Sequence, residues 1–553
     1  MSSKLHGRKQ ELRFAESNAP REGQFDFGDR FFNLDERSKS LLEQSKYEVF
    51  RKMIYPNIDV ESYMPLFTEE GRSASTVRDL VTLIILQAEE NLTVDQLILR
   101  TYTDVAFQYV LGTTGSNVKQ PVSRSNYFKF LERIEQYEDE TGVNLIQHTV
   151  QHITNVIGSE MGFNLHQSVD GFFNKVRMDS MLITSYSQHL TRAGIVYRCN
   201  CEALNVMVQT GGLEAVPSNL IHYFNSDDMN RVIYHDTTEG KEKLAELLKE
   251  SVTILALMSD ECWKEFQEYK NLERVISDQG VVDKEGNIAP KAGTEIKGTS
   301  LQSPEDPEAT ARTKNGKTVI GYAVNFAEIY DGNGNSLIID ADIQSSVYSD
   351  ARFGEDFIGR KDPDSPWMVL THDGAFFSAE NLEKAEEAGI ILVPTVLTGI
   401  QTNTLCAEFN LDDQGTKVET CPNGNAPVMQ TFNEETGKIN AKFDKEQCAK
   451  CPHREECPYR EQAKFNKIEI SQETIDRAEF QANFGMEEHK EASHERNGVE
   501  AIPSIMRRKY EIDHFRTFRK SVRRLKLFGA VLCYNCQKFL SFTKTHRGYY
   551  AQL

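Results

Sequence analysis

Apolar residues recur every three or four positions from Ser38 to about Gly158. STVRDLVTLIILQAEE and TVDQLILRTYTDVAFQYVLG show this spacing, and SRSNYFKFLERIEQYEDETGVNLIQHTVQHITNVIG continues it. The stretch from Ser38 to about Gly158 therefore reads as helices, with Ser73 or Ser75 expected to cap the first. After Gly162 the pattern changes. NKVRMDSMLITS mixes alternating and β-branched residues and predicts a central strand carrying Asp179. A second helical block follows from Leu190 to Ser277, with KEKLAELLKESVTILALMSDECWKEFQEY as its clearest helix. TVIGYAVNFAEIYD and SLIIDADIQSS then flank a GNGN turn, the signature of a β-hairpin. WMVLTHDG predicts a further strand, AENLEKAEEAG a helix ending at Gly389, and IILVPT another strand. The order is that of an α/β fold, a mixed sheet with helices.

Residues 400 to about 465 are polar and cysteine-bearing, and read as a loop-rich segment. Helices are expected again from SQETIDRAEFQANFGMEEHK onward. Residues 1–35 are polar, with Gly and Pro, and read as an extended arm. No repeat or long low-complexity tract is present.

Length and composition narrow the picture. A chain of 553 residues exceeds one simple core, and 39% hydrophobic residues with 10% aromatics describe a folded globular protein. No apolar run is long enough to span a bilayer. The amino terminus MSSKLHGRKQ has no hydrophobic signal region, so the protein is expected in the cytoplasm. Ten cysteines there suggest thiols or metal ligands. The net charge of −20 argues against a protein that coats DNA generally. The charge is uneven, however. Arg507, Arg508, Lys509, Arg516, Arg519, Lys520, Arg523, Arg524 and Lys526 cluster against only Glu511 and Asp513. Such a segment concentrates affinity for a polyanion on one surface, or forms a solvated helix face.

Three acidic residues stand in distinctive settings: Asp179 in VRMDSMLITS, Asp373 in WMVLTHDGAFFS, and Glu500 in ERNGVEAIPSIMRRKY. The first two adjoin predicted strands. The third opens a stretch that reads as a basic helix. Two strand-borne aspartates and a helix-borne glutamate suit two Mg²⁺ ions about 4 Å apart, the arrangement for phosphoryl transfer on nucleic acid. Hard oxygen ligands favour Mg²⁺, with Mn²⁺ as a substitute. Asp170 rivals Asp179, though Asp-Gly more often marks a turn. Glu495, Glu511 and Asp513 rival Glu500. His372 and His494 lie near these acids and are read as packing or hydrogen-bonding residues. Separately, Cys448, Cys451 and Cys457 form C-x2-C-x5-C, and Cys421 completes a set of four suited to a structural Zn²⁺. His453 and Cys406 are substitute ligands. Cys533 and Cys536 read as two residues on one helical face.

These residues together resemble a known family. RMDSMLITS followed by LTRAG resembles the first-aspartate block of bacterial insertion-sequence DDE transposases. LQSPEDPEATARTKNGKTVIGYAVNFAE is similar to the segment leading into their central hairpin, THDGAFFSAEN to the second-aspartate block, and RNGVEAIPSIMRRKY to the block with the glutamate. The helical region from Ser38 to Gly158 is similar to the family's amino-terminal domain. The resemblance implies an RNase H-like core and makes Asp179, Asp373 and Glu500 the catalytic, Mg²⁺-holding triad. It implies binding of double-stranded DNA, both the element's terminal inverted repeats and the target. Arg507, Arg508, Arg516, Arg519, Lys520, Arg523 and Arg524 are the candidate DNA contacts, and synapsis of two ends implies at least a dimer on DNA. Ala375 and Phe376 stand where many relatives have Gly and Tyr, and Ser185-Tyr186-Ser187 where Ser-Asn is common.

The expected organisation is an arm (1–35), a helical DNA-binding or dimerisation domain (36–160), core (161–200), helical insertion (201–295), core again (296–400), Cys-rich insertion (401–465) and carboxy-terminal helices (466–553). Three other functions fit parts of the pattern: a transposase-derived DNA-binding protein that no longer cuts, a metal-dependent nuclease that does not join strands, and a zinc-stabilised scaffold.

Overall fold

Residues Asn174–Thr184 form the central strand, β1. Val176 and Met178 are buried on one face, Met181 and Ile183 on the other. A strand covered on both faces must be apolar in both phases, which is why its alternation is broken. The remaining strands of the sheet are β2 (Thr310–Lys314), β3 (Lys317–Tyr330), β4 (Ser336–Ser345), β5 (Met368–His372) and β6 (Ile390–Pro394). β3 runs antiparallel to β1 with Phe326 opposite Asp179, and β4 is antiparallel to β3. β5 is parallel to β1, and β6 to β5. β2 folds back on the start of β3. The order β4–β3–β1–β5–β6 is a mixed α/β sheet, consistent with the RNase H-like core the sequence led us to expect. In the GNGN turn the Asp331 carboxylate accepts from the backbone N–H groups of Asn333 and Asn335 at 2.8 and 3.1 Å.

This computed structural model of the chain describes residues 26–546 apart from 68–76, 117, 119–121, 166–172, 188, 213, 215, 226–237, 283–286, 315, 363, 377–378, 395–401, 435, 484–490, 492–493, 514 and 516. Ser73, Ser75, Asp170 and Arg516 lie outside the described residues. No helix among those described is long and apolar enough to cross a membrane.

The carboxy-terminal helix Lys520–Thr545 lies on β4 and packs against the amino-terminal helices Val77–Glu90 and Leu145–Glu160. All of them share one apolar core with the sheet. β4 is an edge strand along most of its length, and Asn535 caps that edge. Its side-chain amide donates to the Ile338 carbonyl at 2.8 Å and accepts from the Ile338 N–H at 2.8 Å. Cys533 and Cys536, one helical turn apart, are buried beside it. Residues from Ala193 to Leu301 build a second core, and Cys406 to Ala478 a third.

Three local expectations need correction. The run read as one helix over KEKLAELLKESVTILALMSDECWKEFQEY is two, Thr238–Leu257 and Gln267–Gln279, separated by the 3-10 turn Glu261–Glu265. Asp260 is extended (φ −70°, ψ 141°), and Ser and Asp side chains compete with helical hydrogen bonding there. The Cys-rich segment is not only loops. Met429–Asn433, Lys438–Asp444, Arg460–Glu461 and Phe465–Ile470 form a four-stranded antiparallel sheet. Its apolar face is carried by Ile439, Ala441, Phe443, Ile468 and Ile470. The basic stretch after Glu500 is a short helix, Ala501–Arg508, and helix resumes only at Lys520. Glu511 takes a left-handed conformation (φ 50°) that no helix continues through.

Candidate active site

Asp179 lies mid-strand on β1, on the same side as Arg177 and opposite to Ser180, which donates to Asp350 at 2.7 Å. On the parallel neighbour, Arg177 is level with Thr371. Two residues further on come Asp179, still on β1, and Asp373, just past the end of β5, so the register brings both aspartates to the same end of the strand pair. Asp373 is the first residue after β5, where the sheet opens. Its backbone carbonyl accepts a hydrogen bond of 2.7 Å from His372 Nδ1. His372 is buried, which pushes its pKa down to about 4, so the ring is neutral near pH 7. A neutral His372 serves packing and the backbone, as expected.

Glu500 comes from a remote part of the chain that is fastened over the same side of β1. Arg177 does the fastening. It pairs with Glu328 at 2.7 Å, lies over the Tyr330 ring at 4.6 Å, and donates to the Glu495 carbonyl at 2.5 Å. The Glu495 carboxylate accepts from Lys175 at 3.0 Å and from Tyr330 at 2.9 Å. Glu495, a rival for the third acid, is thus occupied in holding the segment down. Gly498 permits the close approach, since a Cβ there would fall 2.1 Å from Arg177 Nη1. Glu500 then closes the 3-10 turn Asn497–Glu500, with its side chain 63% exposed.

Arg496 stands between the acids. It reaches Asp179 at 3.4 Å and Glu500 at 3.8 Å, and its own side chain is only 12% exposed. The Asp179 carboxyl is held above its ordinary pKa chiefly by burial. Arg496 and the Ser180 N–H oppose the rise, while the charges of Glu500 and Asp373 add to it. The three carboxylates therefore share one electrostatic field, with a cation already among them. Sequence reasoning passed over Arg496, although its spacing of four from Glu500 is that of a helical ion pair. Glu511 is exposed, and Asp513 lies 3.9 Å from Arg507.

The basic segment divides into two. Arg523 is 3% exposed and faces Asp306 at 3.3 Å and Glu308 at 3.4 Å, with its guanidinium 4.1 Å from the centre of the Tyr322 ring. Arg524 pairs with Glu138, Arg519 with Glu135, and Lys520 with Glu308 at 3.5 Å. These charges are matched within the chain. Arg507 and Arg508 remain exposed at the end of the short helix, and no ion pair or hydrogen bond holds Arg508 among the described residues.

In the Cys-rich segment, Cys421, Cys448, Cys451 and Cys457 line one cavity together with His453. The backbone turns around them are tight: Gly424 N–H donates to the Cys421 carbonyl at 2.7 Å and Cys451 N–H to the Cys448 carbonyl at 3.2 Å. Burial pushes the Cys457 thiol up to about 11, and the neighbouring cysteines add to the rise. Cys406 is instead buried in the apolar core of this unit. Among the described residues, no three or more His, Cys, Asp or Glu side chains are grouped closely enough to hold a metal ion as they stand. That holds for the thiols and for the carboxylates, although the soft and hard donor sets suit Zn²⁺ and Mg²⁺ respectively.

Asp179 thus lies on the central strand, Asp373 just past the end of its parallel neighbour, and Glu500 at the end of a later 3-10 turn. In comparison with known families, residues 420–540 match the family described as a transposase DDE domain. The match bears out the resemblance to DDE transposases. It spans Glu500 and the four cysteines of the cavity, but neither aspartate. No curated protein and no solved structure matches the chain.

Proposed function

We propose that this protein is the DNA transposase of an insertion sequence. In this reading it binds the element's terminal inverted repeats, cleaves DNA at their ends and joins them to a target, using Asp179, Asp373 and Glu500. The observation that carries the reading is that Arg496 reaches both Asp179 and Glu500, at 3.4 and 3.8 Å, while the pairing of β1 with β5 brings Asp373 to the same end of the two strands. Bound by them, Mg²⁺ supplies activation of a water or a 3′-hydroxyl and stabilisation of the leaving 3′-oxygen. The side chains contribute hard oxygen donors on a rigid sheet. Arg496 offsets the negative charge of Asp179 and Glu500, a role that a metal ion held by the carboxylates would take over. Arg507 and Arg508 neutralise phosphate beside the site. Synapsis of two ends requires at least a dimer on DNA.

The test uses duplexes carrying the element's end, with Mg²⁺ or Mn²⁺. Wild-type protein is expected to nick at the end and join the freed 3′-hydroxyl to target DNA. Asp179→Asn, Asp373→Asn and Glu500→Gln should each abolish both steps while DNA binding persists. Nicking without joining would make the protein a nuclease, and binding without either would make it a DNA-binding relic. We also propose a structural Zn²⁺ in the cysteine-lined cavity, which the thiols would have to close upon. Freshly purified protein should contain about one zinc per chain, and metal analysis finding none refutes the assignment.

A further inference from the structure

Tyr186 lies two residues beyond the end of β1 and is 56% exposed. The ring does not swing freely. It packs on Phe518 with ring centres 5.4 Å apart, and Phe518 is half-buried. Ser185, beneath it, is anchored by a 2.5 Å hydrogen bond from its hydroxyl to the buried carboxylate of Asp306. The structure thus holds a half-exposed aromatic side chain, tilted 43° against Phe518, on an anchored base.

The ring's position relative to the acids is also set. The short helix Ala501–Arg508 runs beside β1 in the same direction. Glu500, just before it, is joined through Arg496 to Asp179, and Arg507, at its other end, donates to the Leu182 carbonyl at 3.4 Å. Along one track lie first the acids, then Arg507 and Arg508, then Tyr186. From Asp179 to Tyr186 the strand covers at most about 23 Å, less than one turn of duplex DNA. Cations followed by an anchored aromatic face are what a nucleic-acid strand with an unpaired base requires. Inside a duplex both faces of every base pair are already stacked and closed to such a ring.

We infer that Tyr186 is a stacking platform for an unpaired base, lying within about one helical turn of the bond to be cut. This rests on the proposed function, since it presumes that DNA crosses the carboxylates. Arg507 and Arg508 hold the backbone, and the Tyr186 ring takes the base.

The test measures binding of the full chain by fluorescence anisotropy, without divalent metal, to a blunt duplex and to the same duplex with an unpaired 3′ tail. A 2-aminopurine in the tail reports stacking by its quenching. Wild-type protein should prefer the tailed duplex and quench the probe. Tyr186→Ala should lose roughly 10-fold on the tailed duplex, with no change on the blunt one, and should abolish quenching. Tyr186→Phe should retain both. Arg508→Ala should weaken the two duplexes alike. Equal affinity of wild-type and Tyr186→Ala for the tailed duplex, or no quenching, overturns the inference and leaves the transposase reading standing. Absence of binding to either duplex at low salt overturns both. Tyr186 is exposed, so equal melting temperatures of the variants are expected and show that folding is not the cause.

Discussion

Replacing Arg523 by Met tests whether the carboxy-terminal basic residues serve the fold or the DNA. The guanidinium is 3% exposed and its partner Asp306 is 2% exposed. Asp306 also accepts hydrogen bonds from the Tyr322 and Ser185 hydroxyls, and Arg523 donates to the Phe518 carbonyl at 2.7 Å. Met fills much of the volume but leaves Asp306 buried without its cation. Breaking a buried pair from one side costs about 3–5 kcal/mol. The second replacement, Asp306→Asn in the Arg523→Met background, removes the stranded charge and should restore part of that loss. Urea denaturation measures the stability, and the salt dependence of DNA binding measures the charge left for phosphate. Arg523→Met should fall in stability by the stated amount with its salt slope unchanged. Arg508→Ala should keep its stability and lose close to one unit of slope. An Arg523→Met protein as stable as wild type, with a reduced slope, would refute the assignment of Arg523 to the fold.

Other outcomes follow from the same contacts. His372 has a folded pKa of about 4 against 6.5 for an unperturbed ring. Between these values the unfolded chain binds the proton and the folded one does not, so stability falls as pH drops from about 6.5 to about 4, by about 3 kcal/mol at most. His372→Gln should flatten that part of a stability–pH profile, and an unchanged profile would contradict the buried neutral ring. Asn535→Ala strips both side-chain partners from the Ile338 backbone and should cost about 1–3 kcal/mol, read from urea denaturation; no loss would mean that water replaces the amide. Gly498→Ala forces Arg177 aside and should reduce end cleavage more than DNA binding, because it shifts the turn that carries Glu500; equal effects on both would count against that placement.

Much of the sheet was legible because its signals are local. The hairpin announces itself in GNGN, and β1 in the mixed alternating and β-branched pattern of NKVRMDSMLITS. The two aspartates were marked by the strands beside them. What stayed hidden depends on contacts between distant residues. Nothing near Arg523 or Arg524 reveals that Asp306 and Glu138 neutralise them, so the basic segment read as a single surface. Arg177 looked like an ordinary strand residue until Glu328 and Glu495 came to it from either side. The four-stranded sheet of the Cys-rich segment was missed because its outer strands, Met429–Asn433 and Arg460–Glu461, bury no side chain, although Ile439, Ala441 and Phe443 alternate inward on an inner one. The role of Arg496 was hidden for a similar reason: its spacing to Glu500 is local, but its approach to Asp179 spans most of the chain.

The most direct test is a crystal structure of the protein on end DNA with Mn²⁺, located by anomalous scattering. The account predicts one or two ions held by Asp179, Asp373 and Glu500, with Arg496 moved off Asp179. Carboxylates that stay apart in the DNA complex, with no ion between them and Arg496 still in place, would contradict it.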